Sequence, residues 1–268
     1  MKRGTLCVQG GWQPKNGEPR VMPIYQSTTF KYESSDEMGR LFDLEASGYF
    51  YTRLQNPTND TVAAKIAALE GGVAALLTAS GQTASFYAIL NLCSAGDHVV
   101  CASEIYGGTF NLFAVTMKRM QIDFTFVDQD APEEEIDRAF RPNTKAVFGE
   151  TIANPACAVL DIEKFARIAH RHGVPLIVDN TFLTPLRQRP LELGADLVIH
   201  SGTKYLTGHN DILAGVVVAK DASLGEQLVW LSNTTGPTLS PFDCWLFIRS
   251  LKTLSLRLDR QEANAQAL

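Results

Sequence analysis

The sequence lacks the features that mark membrane-spanning and secreted proteins. No apolar run approaches the ~20 residues that a membrane-spanning helix needs. No apolar stretch follows the basic residues Lys2 and Arg3, as one would in a signal peptide. The five cysteines are scattered, odd in number and never spaced as C-x-x-C, which is typical of unpaired thiols in a reducing compartment. We therefore expect a cytoplasmic protein with no membrane partner.

Basic surface stripes and metal-ligand spacings are also missing. The net charge is −5 and the basic residues are not clustered, so we expect no nucleic acid partner. His170 and His172 lie two residues apart on a predicted helix and point to different faces. We therefore expect no metal site.

What the sequence contains is a regular alternation of short apolar runs and helical stretches. Its 268 residues are 45% hydrophobic and 20% charged, as in ordinary globular domains. Most of the apolar runs lack polar alternation, which is typical of strands covered on both faces. The pattern predicts an α/β fold with a mostly parallel sheet and helices on both faces. The seven predicted strands are 74–78, 98–102, 124–127, 146–149, 176–178, 197–199 and 213–219, and the clearest predicted helices are 58–70 and 161–172.

The two ends of the chain differ from this core. Residues 1–50 are rich in glycine and proline and predict an extended, irregular N-terminal arm. Residues 241–268 predict one long helix with Leu251, Leu254 and Leu258 on one face. Because a helix with such an apolar stripe needs something to pack on, we expect a C-terminal domain beyond residue 268. The predicted division is an arm (1–50), a large domain (51–250) and the start of a linker helix (251–268).

Polar residues follow four of the predicted strands at their carboxyl ends, where ligands collect in open α/β sheets. Ser80-Gly81-Gln82 opens a helix, Glu150 ends one strand and Asp179 another, and Lys204 follows a fourth strand between hydroxyl residues. A lone strand-end Asp is more often a structural cap, and a lone Lys is more often solvated. Together they supply an anion cradle, an amine and a carboxylate. Pyridoxal phosphate (PLP) needs this set for its phosphate, its aldehyde and its ring nitrogen.

Ordered sequence blocks running through nearly the whole chain indicate a family. They include Tyr51-Thr52-Arg53, Ser80-Gly81-Gln82, Tyr106-Gly107-Gly108-Thr109, Asn154-Pro155, Val178-Asp179-Asn180-Thr181, Ser201-Gly202-Thr203-Lys204, and Leu251-Lys252-Thr253-Leu254 with Arg257. In these blocks the chain resembles the Cys/Met-metabolism group of fold-type I PLP-dependent enzymes. The resemblance implies a PLP-dependent transferase fold with a seven-stranded, mostly parallel sheet.

The resemblance also implies a role for each motif residue. Lys204 would hold PLP as a Schiff base and move protons on the substrate, Asp179 would pair with the pyridine nitrogen, and Tyr106 would stack on the ring. The remaining cofactor-binding residues would be Gly81, Gln82, Ser201 and Thr203 at the phosphate, Asn154 at the ring hydroxyl oxygen, and Thr181 beside Asp179.

Two further motif residues imply assembly. Tyr51 and Arg53 would reach the phosphate from a neighbouring subunit, and Arg suits that task because its fork matches phosphate geometry. The resemblance therefore implies a homodimer or homotetramer with shared sites.

The motifs favour one reaction within the family, which includes γ-synthases, γ-lyases and sulfhydrylases. The block from Tyr106 to Phe113, with Gly108 where methionine γ-lyases typically carry Cys, is similar to sulfhydrylases and γ-synthases, whereas His209-Asn210-Asp211 is closer to γ-synthases and lyases. We favour O-acetylhomoserine sulfhydrylase, in which sulfide or a thiol replaces acetate to give homocysteine or methionine.

Two alternatives stay open. One is the cystathionine γ-synthase or methionine γ-lyase type of reaction. The other is a chain that binds PLP but is catalytically incomplete, because the resemblance places the Arg for the substrate carboxylate in the C-terminal domain.

Overall fold

Seven short strands form one sheet in the computed structural model, which describes residues 1–43 and 45–268. All seven predicted strands are confirmed, with ends that shift by at most two residues. The central strands are buried throughout, because apolar side chains project from them to both faces. The strands are β1 (Ala74–Thr78), β2 (His98–Ala102), β3 (Asp123–Val127), β4 (Thr144–Glu150), β5 (Leu176–Asp179), β6 (Leu197–Ser201) and β7 (Gly215–Ala219).

The strand order across the sheet is β1-β7-β6-β5-β4-β2-β3. β7 runs antiparallel to both of its neighbours, β1 and β6, and every other neighbouring pair is parallel. The sheet is therefore mostly parallel, as predicted. Because β7 is inverted between them, β1 and β6 point the same way, and the carboxyl ends of β1, β2, β4, β5 and β6 lie at one edge.

Helices cover both faces of the sheet. Within residues 1–43 and 45–268, no helix combines the length and the apolar content needed to cross a membrane. The α-helices are α1 (Arg3–Gln9), α2 (Ser35–Phe42), α3 (Pro57–Glu70), α4 (Gly81–Leu90), α5 (Gly107–Asn111), α6 (Glu133–Asp137), α7 (Ile162–Arg171), α8 (Thr184–Arg187), α9 (Ala222–Thr235), α10 (Pro241–Leu251) and α11 (Leu254–Ala267). A π-helical turn (Leu112–Thr116) and two 3-10 turns (Met117–Met120 and Pro190–Leu193) complete the helical segments described.

Two apolar clusters lie on opposite faces of the sheet. Val178 and Val198 point to the face covered by α3, α7 and α10. Ile177 and Ile199, their strand neighbours, point to the face covered by α4 and α9. This alternation follows from the two-residue period of a strand and explains why the sequence shows continuous apolar runs.

The N-terminal arm is less irregular than the sequence predicts, because it contains α1 and α2. Ser34 caps α2 by accepting a hydrogen bond from the Glu37 amide. α1 docks on α3, where the buried Lys65 donates from Nζ to the Cys7 carbonyl oxygen at 2.9 Å. A cation at the C-terminal end of α1 satisfies a carbonyl that the helix leaves free. The contact joins residues 58 positions apart, so local sequence does not reveal it.

The prediction of one continuous helix over residues 241–268 is wrong. The chain breaks at Lys252 and Thr253, between α10 and α11. The break frees the Ser250 carbonyl oxygen, which accepts from the Thr253 amide at 3.2 Å and from Arg257 Nη2 at 3.1 Å. The apolar face predicted for this segment is nevertheless buried at Leu251, Leu254 and Leu258.

Candidate active site

The strand ends that carry polar residues meet at one edge of the sheet. Glu150 at the end of β4 is the register partner of Asp179 at the end of β5. Asp179 is in turn the register partner of Ile199 on β6, two residues before Ser201. The sheet therefore brings the predicted carboxylate and the start of the predicted lysine loop to neighbouring positions.

Asp179 is held in a defined orientation at the end of a buried strand. Its Oδ1 accepts hydrogen bonds from the Thr181 amide at 2.9 Å and from the Thr181 hydroxyl at 2.5 Å. The same hydroxyl accepts from the Ser201 amide at 2.7 Å and so ties the end of β5 to the end of β6. Burial raises the pKa of Asp179, which is 9% exposed, and the bonds from Thr181 oppose this rise.

Glu150 lies beside this carboxylate, and its sequence position alone predicted no role for it. Burial, followed by the neighbouring Asp179 charge, raises the pKa of Glu150 to about 8. Its Oε2 accepts a hydrogen bond from the Tyr106 amide at 2.6 Å, which opposes the rise. Glu150 therefore fixes the backbone of Tyr106 at the start of α5. Its position at the end of an apolar strand, like that of Asp179, was the signal available in the sequence.

The Tyr106 side chain is 47% exposed and its ring lies against Gly108. A Cβ atom at position 108 would come within 2.5 Å of Cε1 of that ring, so only glycine leaves the ring in place. Gln82 Nε2 donates to the Thr109 hydroxyl at 3.1 Å and links the start of α4 to α5. The predicted ring-stacking residue and a predicted phosphate residue are thus connected through Thr109.

The predicted phosphate residues come together where α4 begins. Ser80 caps α4 by accepting from the Thr83 amide, and the amides of Gly81 and Gln82 belong to the first turn, where a helix leaves its N–H groups free. A Cβ atom at Gly81 would lie 2.6 Å from Cβ of Ser201, so α4 and the end of β6 are in close contact. The Thr203 hydroxyl bonds to the residue that directly precedes β7, because it accepts from the Ala214 amide at 3.1 Å and lies 3.3 Å from the Ala214 carbonyl oxygen.

Lys204 follows directly in the same loop and is exposed. Its amide donates to the Ser201 carbonyl oxygen at 3.2 Å, and its own carbonyl oxygen accepts from the Gly208 amide at 2.8 Å. Among the described residues, no hydrogen bond or ion pair engages its Nζ. Asn154 lies in the loop after β4, is also exposed and precedes a cis peptide bond to Pro155.

Tyr51 and Arg53 lie apart from this group. The Arg53 guanidinium carbon is 5.2 Å from the centroid of the Tyr51 ring, and Arg53 Nη1 donates to the Asn233 carbonyl oxygen at the end of α9. In the described part of the chain, none of their contacts reaches Lys204 or Asp179. The structure therefore does not bring these two predicted residues into the site of their own subunit.

A buried hydrogen-bonded pair, not anticipated from the sequence, supports the same edge from the opposite face. His200 Nε2 and Glu70 Oε1 are 2.6 Å apart, and both side chains are fully buried. Asn180 Nδ2 donates to the same Glu70 oxygen at 3.0 Å. His200 directly precedes Ser201 and Asn180 directly follows Asp179, so the pair anchors both strand ends. The available signal was a histidine at the end of an otherwise apolar strand.

These residues fit PLP on structural grounds. Asp179 is a buried carboxylate that forms no ion pair within residues 1–43 and 45–268, and a protonated pyridine nitrogen would supply the missing cation. Ser201 and the free amides at the start of α4 form an anion cradle that Gly81 keeps narrow. Lys204 offers an exposed amine one loop away. The set matches the three functional groups of the cofactor.

Comparison with known proteins gives the same result. Residues 4–268 match a family model described as Cys/Met metabolism PLP-dependent enzyme. The chain is 46% identical over 247 residues to an L-methionine gamma-lyase of Treponema denticola (91% of this chain, 61% of that protein). It is 47% identical over 246 residues to a cystathionine gamma-synthase/O-acetylhomoserine (thiol)-lyase of Bacillus subtilis (92% and 63%). The chain thus spans less than two thirds of the length of both curated relatives.

A solved structure supports both the fold and the cofactor. It is that of a Campylobacter jejuni protein assigned as O-acetylhomoserine (thiol)-lyase, with N'-pyridoxyl-lysine-5'-monophosphate in its chain. The two structures agree with a TM-score of 0.93 at 32% sequence identity, over 100% of this chain and 74% of that one. The fold is therefore that of the fold-type I PLP enzymes, as the resemblance implied.

The raised pKa of Glu150 predicts a pH dependence of stability in the cofactor-free protein. The folded state holds a proton on Glu150 up to about pH 8, whereas an unfolded glutamate loses it near 4.5. The folded state therefore binds more protons between these values, and stability falls as pH rises through this window. Glu150→Gln keeps an acceptor for the Tyr106 amide but does not ionise. In urea unfolding, we expect the wild type to lose stability relative to Glu150→Gln from pH 5 to pH 8.

Glu133→Gln is the matched control. Hydrogen bonds from Arg167 lower the pKa of this exposed carboxyl, so Glu133 is already ionised throughout the window. The difference in the free energy of unfolding between Glu133→Gln and the wild type should therefore stay constant between pH 5 and pH 8. If the free energy of unfolding depends on pH in the same way in the wild type and in Glu150→Gln, Glu150 is not protonated in the folded state over this range.

Proposed function

The chain belongs to the Cys/Met metabolism family of PLP-dependent enzymes, and from this premise we propose that it carries out γ-replacement on O-acetylhomoserine. Sulfide or a thiol would replace acetate, giving homocysteine or methionine. The substrate is thus an activated amino acid in sulfur amino-acid metabolism. This proposal concerns the protein in which these residues act, because the chain spans only part of its relatives.

In this proposal, the residues at the sheet edge bind different parts of the cofactor. Gly81, Gln82, Ser201 and Thr203 would hold the phosphate, and Asn154 would bond the ring hydroxyl oxygen. Asp179, oriented by Thr181, would keep the pyridine nitrogen protonated. Bound PLP supplies an electron sink for charge that develops at the substrate Cα. Tyr106, held by Glu150, would cover one face of the ring.

Lys204 would have two tasks, covalent attachment of the cofactor and proton transfer. Substrate binding would free its amine, which would then take the proton from Cα and exchange protons at Cβ. Ser201 is the last residue of β6, and Lys204 follows three residues later. The residue that binds the phosphate and the residue that acts as the base would therefore lie on one short segment.

Gly108 is the observation that favours replacement over methionine γ-elimination. Overall similarity does not decide, since the γ-lyase and the γ-synthase/thiol-lyase are 46% and 47% identical to the chain. By the motif resemblance described above, Gly108 stands where methionine γ-lyases typically carry Cys. In this chain a Cβ there would press on the Tyr106 ring, 2.5 Å from Cε1. The ring position described here is thus compatible with glycine and incompatible with a lyase-type cysteine.

A comparison of two substrates tests the reaction. We expect the PLP-loaded protein to convert O-acetylhomoserine and sulfide to homocysteine and acetate faster than it converts methionine and water to methanethiol, 2-oxobutyrate and ammonia. Lys204→Ala should lose the covalently attached, borohydride-reducible cofactor and lower the replacement rate by at least about 100-fold, the usual contribution of a general base. Product quantification by mass spectrometry measures both reactions on the same sample.

Three outcomes would count against this proposal. Faster turnover of methionine would favour the γ-lyase reaction. Covalently bound cofactor with neither product would favour a PLP-binding but catalytically incomplete chain. Cofactor that stays reducibly attached in Lys204→Ala would show that another lysine carries it.

We also propose that the site is shared between subunits, through Tyr51 and Arg53. Both residues lie away from their own Lys204, and they line a cavity of about 700 Å³ beside the arm with Phe30, Phe42 and Phe50. An aromatic ring and a guanidinium held side by side in this way are suited to bind a phosphate that is held by a neighbouring subunit. The partner would be a second copy of this chain, in a dimer or in a dimer of dimers.

Mixed subunits test the sharing. Subunits with Arg53→Ala are combined with subunits with Lys204→Ala at limiting cofactor. In a mixed dimer, Lys204 of one subunit meets Arg53 of the other, so we expect one tightly held, borohydride-reducible cofactor per mixed dimer and little in either parent. Proven subunit exchange without any gain in attached cofactor would place Arg53 outside the neighbour's site.

A further inference from the structure

The loop that carries Lys204 is held from outside by the guanidinium of Arg257 on α11. Arg257 Nη1 donates to the Tyr205 carbonyl oxygen at 2.7 Å, and Nη2 donates to the Leu206 carbonyl oxygen at 3.2 Å. These are the two residues that directly follow Lys204. The planar fork of an arginine allows one side chain to bond both carbonyls at once.

The same guanidinium is anchored at its other side. Nη2 also donates to the Ser250 carbonyl oxygen at 3.1 Å, and Nε donates to the Thr253 hydroxyl at 3.1 Å. Both partners lie at the break between α10 and α11. That break therefore does more than turn the chain, because it provides acceptors that fix the direction of the Arg257 side chain.

Gly208 shows how closely Arg257 packs on the loop. A Cβ atom at this position would lie 2.0 Å from Nη1 of Arg257 and 2.6 Å from Cζ. Gly208 has φ +67°, a left-handed conformation that glycine adopts without strain. Its amide donates to the Lys204 carbonyl oxygen at 2.8 Å and closes the turn.

Two contacts outside the turn also hold the loop, because Thr203 bonds to Ala214 ahead of the lysine and the Leu206 side chain is buried after it. The turn's own bonds, such as Lys204 N to Ser201 O, fix its shape but not its position. Among the described residues, the Tyr205 and Leu206 carbonyl oxygens accept hydrogen bonds only from Arg257. Carbonyl oxygens at a turn need external donors when they are removed from water. Arg257 supplies charged donors to two of them, and charged hydrogen bonds are stronger than neutral ones.

We propose that Arg257 is a positioning residue for Lys204, because its guanidinium clamps the carbonyls of the two residues that follow the lysine. This inference rests on the proposed role of Lys204. Arg257 itself would contact neither substrate nor cofactor. Its effect would be to hold the Lys204 backbone at the distance from which the amine can reach a cofactor anchored by Ser201 and Asp179.

The test replaces Arg257 with Met, which keeps the apolar stem and removes the donors. With PLP at a fixed concentration, we expect the equilibrium constant for covalent attachment at Lys204 to fall by about tenfold or more, the effect of losing one charged hydrogen bond. Attachment is measured by borohydride reduction and peptide mass spectrometry. Without cofactor, amide hydrogen exchange at residues 205–208 should become faster than in the wild type.

Two variants separate positioning from general stability. Arg187→Met removes ion pairs from Arg187 to Asp259 and Glu262 on the same helix α11 without touching the lysine loop, so attachment should stay at the wild-type value. Arg257→Lys keeps a charge but has no fork, so it should bond one carbonyl and give intermediate attachment. The lysine variant decides the question if the methionine variant does not fold.

The outcomes are distinct. Suppose that PLP attaches to Lys204 in the wild type and that folded Arg257→Met shows the same attachment and the same hydrogen exchange. This result would overturn the inference and leave the proposed function intact. If Arg257→Met does not fold, the same result in Arg257→Lys would have the same meaning. A loss as large in Arg187→Met as in Arg257→Met would assign the effect to the docking of α11 as a whole and would also overturn it. Absence of attachment in the wild type would contradict the proposed function itself, and this inference with it.

Discussion

Burial of the Asp179 carboxylate is the constraint on which the arrangement of the site depends. The strand that leads to it is apolar on both sides, so the carboxyl group is taken out of water where the sheet ends. Two bonds from Thr181, both to Oδ1, compensate part of that cost, and among the described residues no hydrogen bond engages Oδ2. A ligand with a cationic, hydrogen-bonding ring nitrogen completes the compensation, which is why the site suits PLP.

Other features of the sheet edge follow from keeping that carboxylate in place. Thr181 links it to Ser201, so the residues proposed for the ring nitrogen and for the phosphate are connected through one hydroxyl. The buried Glu70–His200 pair anchors the same two strands from the opposite face. Removing either partner would leave a fully buried polar group without its hydrogen bond, which makes the pair a firm support. In the same way, Arg257 would fix the loop of Lys204 relative to these strand ends.

Much of this could be predicted from the sequence, because it depends on local pattern. Continuous apolar runs located all seven strands, and polar residues at their ends located Asp179 and the segment from Ser201 to Lys204. What could not be predicted depends on contacts between distant residues. The Glu70–His200 pair spans 130 positions, and the Arg257 contact with Tyr205 spans 52. The break before α11 was missed because no glycine or proline marks it.

We propose that Asp179 keeps the cofactor ring nitrogen protonated. Nitrogen NMR of the protein loaded with PLP labelled with ¹⁵N in the ring, near neutral pH, reports this proton. We expect a protonated nitrogen in the wild type and loss of that proton in Asp179→Asn, which has a similar shape but no charge. An unprotonated nitrogen in the wild type, or a protonated nitrogen in both proteins, would contradict it.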